Sequence, residues 1–72
     1  MIQFKLKIML AKRSLTQKQL AELTGIRPPT ISQIALGTAK HIPVDVLDRL
    51  CLALDCQPED IIEFIPDDNN ND

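Results

Sequence analysis

The chain has no Trp or Tyr, two Phe, two Gly, two Cys and one His among its 72 residues, and its net charge at neutral pH is only -2. Each shortage removes a class of answer. With so few aromatic rings there is little on which unpaired bases could stack, and an aliphatic core favours a small helical bundle over a β-sandwich. No apolar run approaches the roughly 20 residues that span a bilayer. No apolar segment precedes a small-residue cleavage site at the N-terminus, so a soluble, cytoplasmic chain is expected. His41 has no second His, Cys or carboxylate at ligand spacing. Cys51 and Cys56 read as small apolar groups in a reducing compartment, so no metal or other cofactor is expected. No Ser-His-acid set, carboxylate pair or phosphate loop stands out, and so short a chain has little room for a deep cleft; an enzyme is not expected.

What the chain does have is charge sorted along its length. Residues 1–41 hold seven Lys and Arg against Glu22 alone, a net of +6, whereas residues 42–72 hold Arg49 against nine Asp and Glu, a net of -8. A basic half suits phosphates, and an acidic half keeps the protein soluble and is expected to point away from them.

Start and stop signals divide the chain into helices. Leu6, Met9, Leu10 and Arg13 fall on helical spacing, which predicts a first helix over Lys5 to Arg13. In Leu15-Thr16-Gln17-Lys18-Gln19-Leu20, Thr16 can cap the Gln19 amide while Gln19 reaches back, and Leu15 can close on Leu20; a second helix is predicted from Gln17 to about Thr24. Pro43 opens a fourth helix, Val44 to Leu54, with Leu47, Leu50, Cys51 and Leu54 on one stripe. Pro58, Glu59 and Asp60 repeat that opening, and Ile61, Ile62, Phe64 and Ile65 predict a short fifth helix stopped by Pro66. Ile2 and Phe4 alternate and suggest a short extended arm. The domain is expected to cover residues 1–66, with 67–72 a disordered acidic tail.

The third helix is the unusual one, because it starts at Pro28-Pro29. Proline fixes φ near the helical value, and its missing N–H has no partner to lose in a first turn. The residue before a proline is steered out of the α region, so the helix is predicted from Pro29 to Leu36, with Pro28 as cap and Gly37 as stop. Gly25-Ile26-Arg27 joins it to the second helix. Two helices linked by a short Gly-containing turn make a helix-turn-helix, with Ala21 at the close crossing and Leu20, Ile26, Ile31 and Ile34 in the shared core.

On these residues, together with Thr30-Ile31-Ser32, Gly37 and Leu50-Cys51-Leu52-Ala53-Leu54, the stretch from about Leu6 to Ile62 resembles the Cro and phage-repressor (XRE) family. The resemblance implies an all-α, five-helix lambda-repressor-like domain whose third helix lies in the DNA major groove, usually as a homodimer on a two-fold operator. Gln17 matches the family glutamine that holds a backbone phosphate. Gln33, opposite Ile31 and Ile34, can read adenine through N6 and N7, with Thr30 and Ser32 next. Pro28 and Pro29 stand where relatives often carry polar base-reading residues. Thr38, Lys40 and His41 follow in the loop that lies along the backbone, with Lys40 the phosphate candidate there, and Lys18 and Arg27 add charge beside the helix. Leu52, Phe64 and Ile65 are the expected dimer contacts. The family's polar pair between the first and third helices is replaced here by Leu10 and Ala35. A DNA-binding regulator is expected, a repressor because little lies beyond the DNA-binding unit. The rival expectation is a helix-turn-helix kept as a protein-interaction or antitoxin-like module.

Overall fold

A computed structural model of the chain describes residues 1–66, and the expected acidic tail lies outside them. The elements run β1 (Ile2–Phe4), α1 (Leu6–Arg13), α2 (Gln17–Thr24), α3 (Pro28–Leu36), α4 (Val44–Leu54), a 3₁₀ turn (Pro58–Asp60) and β2 (Ile62–Phe64). Among the described residues there are therefore four α-helices rather than five. Leu6, Leu20, Ile31, Ile34, Leu50, Leu54 and Ile61 are fully buried, and they place a contribution from every helix in one aliphatic cluster. Leu10 and Ala35 are buried in the same cluster. An apolar pair there avoids the desolvation of two charges.

The expected fifth helix is a correction. After one 3₁₀ turn the chain extends, and β2 pairs antiparallel with β1 in the register Ile2 with Phe64, Gln3 with Glu63 and Phe4 with Ile62. The Met1 and Ile65 main chains exchange hydrogen bonds of 2.7 and 2.8 Å beyond the strand ends. Pro66 leaves too few residues for a stable helix, whereas the Ile-Glu-Phe alternation fits a strand as soon as a partner is present. That partner is the extended N-terminal arm. Lys5 stands 3.3 Å from Glu63 and closes the same junction.

The remaining differences are single residues at helix starts. Lys5 is the cap of α1 rather than its first residue, and Arg27, not Pro28, caps α3. Arg27, with φ -64° and ψ 137°, takes the extended conformation required before a proline, which frees Pro28 to be the first helical residue. Both prolines then lie where a helix amide has no intrahelical partner. α3 ends on Gly37 at φ 77°, in the left-handed region that glycine tolerates.

The capping box of α2 is as the spacing predicts. The Gln19 amide donates to Thr16 Oγ1 at 3.0 Å, and the Thr16 amide donates to Gln19 Oε1 at 2.9 Å. Replacing Thr16 by Ala removes one of these bonds. Urea denaturation of the Thr16→Ala variant should show a loss of about 1 kcal/mol with an unchanged slope.

Candidate nucleic-acid interface

Burial decides which side of α3 is presented. Ile31, Ile34 and Ala35 face the core, so Pro29, Gln33 and Leu36, spaced i, i+4 and i+7, share the outward stripe. Pro28 is exposed, and Thr30 and Ser32 are half-buried on the flanks. Leu36, 60% exposed, is an apolar member of this face that sequence reasoning missed. An apolar residue near a helix end reads as core unless its spacing from Pro29 and Gln33 is followed.

Two shallow concavities flank the helix. One is lined by Gln17 and Lys18 of α2 with Pro28, Pro29 and Ser32 of α3. The other is lined by Thr30, Gln33, Thr38, Lys40, His41, Pro43 and Val46. Nine of the residues nominated from sequence are thus gathered on one face, and Arg27 stands exposed immediately before Pro28. His41 lies in the loop expected to follow the third helix, whereas Pro43 and Val46 were not nominated; the start of α4 folds back beside α3, a neighbourhood that no local pattern reveals. No carboxylate lines either concavity.

The two helix starts differ chemically. In α2 the Gln17 and Lys18 amides occupy the first two positions, where a helix leaves its N–H groups free for an anion, and the Lys18 ammonium is exposed beside them. In α3 both of those positions are proline. The first start carries main-chain donors and a cation, and the second is apolar.

Hydrogen bonds at either end of α3 fix its placement. Thr24 Oγ1 donates to the Leu20 carbonyl at 2.7 Å and accepts the Ile26 amide at 3.1 Å, stiffening the turn around Gly25, whose φ is 74°. Sequence reasoning gave Thr24 no role. At the far end the Thr38 and Ala39 amides donate to the Gln33 carbonyl at 2.9 and 3.2 Å. The Thr38 hydroxyl also points to that carbonyl, at 3.4 Å. The loop carrying Lys40 is therefore tied to the backbone of Gln33.

Not all of the basic half serves this face. Lys5 pairs with Glu63, and Arg13 donates through Nε to the Leu54 carbonyl at 2.8 Å and through a terminal nitrogen to the Asp55 carbonyl at 3.3 Å. Arg13 thereby satisfies the carbonyl-rich end of α4. Lys18, Arg27 and Lys40 have no ion pair among the described residues.

Of the expected dimer contacts, Leu52 lies on α4 and lines a groove with Leu23, Thr24, Arg49 and Ala53. Phe64 belongs to β2, opposite Ile2, and Ile65 follows it. All three are exposed. Cys51 and Cys56 are half-buried free thiols lining one shallow surface depression. Burial pushes both thiols up, Cys56 to about 11, so each remains protonated near neutral pH. No group of three or more metal-ligating side chains occurs among the described residues, and no described helix is long and apolar enough to cross a membrane.

Two helices joined by a Gly turn, with the second presenting a carboxylate-free face ringed by cations, define a helix-turn-helix nucleic-acid-binding domain. Residues 5–67 match the Cro/C1-type HTH DNA-binding domain, and the chain belongs to that family. It is 40% identical over 62 residues to an uncharacterised HTH-type transcriptional regulator, YozG, of Bacillus subtilis (strain 168), an alignment covering 86% of this chain and 74% of that protein.

Thr24→Val keeps the shape of the side chain but leaves the partly buried Ile26 amide without its acceptor. Thermal or urea unfolding should show a loss of about 1–3 kcal/mol, the range for an unpaired buried donor.

Proposed function

We propose that this protein is a sequence-specific, double-stranded DNA-binding transcriptional regulator, a cytoplasmic repressor that reads the major groove with α3. The observation that carries the reading is the outward face of α3, where Gln33 and Lys40 line one carboxylate-free concavity, Lys18 lines the other, and Arg27 is exposed just before Pro28. Family membership and the regulator name of the Bacillus relative support it.

The roles follow from chemistry. Gln17, with the free amides opening α2 and the Lys18 ammonium, holds a phosphate on one side of the groove. Lys40, in the loop tied to Gln33, holds the backbone on the other. Arg27 adds charge at the start of α3. Between these anchors the Gln33 amide donates to and accepts from an adenine edge, with Ser32 and Thr30 placed for secondary contacts. Repression follows from occupancy, since a groove filled by α3 is closed to other proteins.

A nine-residue helix covers only a few base pairs. A homodimer on a two-fold operator, with its reading helices about 34 Å apart, multiplies that contact. Leu52, Phe64 and Ile65 are the proposed contact residues, each exposed and apolar. Residues 1–66 form the DNA-binding domain in this reading.

The test is duplex binding as a function of salt and of Gln33. Affinity for a selected operator should fall steeply as salt rises from about 50 to 200 mM, because each neutralised phosphate releases counterions. Gln33→Ala should lose about 1–3 kcal/mol on that operator while nonspecific binding is nearly unchanged. No duplex binding at about 50 mM salt would favour the protein-interaction module instead.

A further inference from the structure

In a helix-turn-helix the first residues of the recognition helix meet the base edges, and here those residues are Pro28 and Pro29. Neither has an N–H. The next two amides are already used, since Thr30 N and Ile31 N both donate to the Arg27 carbonyl, at 3.0 and 3.2 Å. The leading turn of α3 therefore offers no main-chain donor to a phosphate or a base. The concavity it shares with α2 has almost wholly apolar walls, with Gln17, Lys18 and Ser32 as its polar members.

Most of what the major groove displays would be mismatched to such a surface. Ring nitrogens, carbonyl oxygens and amino groups would be stripped of water with no replacement partner. The C5-methyl of thymine is the apolar group on display, and 5-methylcytosine carries a methyl at the same ring position. We propose that Pro28 and Pro29 form a methyl-reading corner, which makes a 5-methylpyrimidine part of the recognised sequence, beside the base met by Gln33. The assignment rests on the DNA-reading function proposed above and adds a specificity determinant to it. Lys18 supports the commitment to DNA, because it places a free cation at the rim of the apolar hollow, where a phosphate flanking that pyrimidine would lie.

The probe is a duplex selected by the wild-type protein from a randomised pool, with each thymine replaced singly by deoxyuridine, which removes only the methyl. At one or two positions per half-site the substitution should weaken binding about fourfold, the factor for one methyl-sized apolar contact. Cytosine at those positions should bind more weakly than 5-methylcytosine by a similar factor. A variant carrying Pro28→Ser and Pro29→Ala, shown by its melting temperature to be folded, should lose the distinction between thymine and uracil, whereas Gln33→Ala should keep it. Should uridine be tolerated at every position of a specifically bound duplex, the methyl corner is wrong while DNA reading stands; the same follows if the proline variant still discriminates. Should no duplex be selected at all, both proposals fall. The uridine series uses the unaltered protein, so it decides the matter even if the proline variant does not fold.

Discussion

Seating Ile31 and Ile34 in the aliphatic core beside Leu20 is the constraint on which the rest of the molecule depends. Both isoleucines are essentially inaccessible to solvent, and each contributes roughly 1.5–3 kcal/mol of burial. Because they lie on one side of α3, their burial fixes the rotation of the helix about its axis and turns Pro29, Gln33 and Leu36 outward. The small Ala21 of α2, buried in the same cluster, permits the close crossing. Shortening either isoleucine would open a cavity and loosen the face as well as the fold. The core and the outward face are in this sense two sides of one helix.

Around that seat, short polar contacts complete the positioning. Thr24 stiffens the turn before α3, the Gln33 carbonyl ties down the loop after it, and Arg13 closes the end of α4 with hydrogen bonds to the Leu54 and Asp55 carbonyls. Charge is divided accordingly. Lys5 and Arg13 are engaged within the fold, one with Glu63 and one with main-chain carbonyls, while Lys18, Arg27 and Lys40 remain around α3. A chain with net charge -2 can therefore still present a cationic face.

Much of this was legible in the sequence because its signals are local. The Thr16/Gln19 box fixes the start of α2, Gly25 and Gly37 mark the ends of α2 and α3, and the stripe from Leu50 to Leu54 marks α4. What was not legible depends on distant partners. Ile62 and Phe64 form a strand because Ile2 and Phe4 lie alongside them, and nothing within Ile61–Ile65 itself excludes a helical turn. The role of Arg13 requires knowing that the end of α4 comes to rest beside α1. At the candidate site, Gln17, Gln33, Lys40 and His41 were placed beside the third helix through the family pattern, and each lines one of the two concavities there. Pro43 and Val46 join the same face only through the path of the chain between α3 and α4.

The most direct measurement is amide chemical-shift mapping of the ¹⁵N-labelled protein as a selected operator duplex is titrated in at low salt. If α3 reads the groove, the largest perturbations will fall on Gln17 and Lys18, on Arg27 and Thr30 to Gln33, and on Thr38 to His41. Those of α4 beyond its first turn and of the β1–β2 sheet will be small or confined to a dimer contact. Perturbations centred on α4 or the sheet, with the amides of α3 unmoved at saturation, would contradict a groove-reading α3.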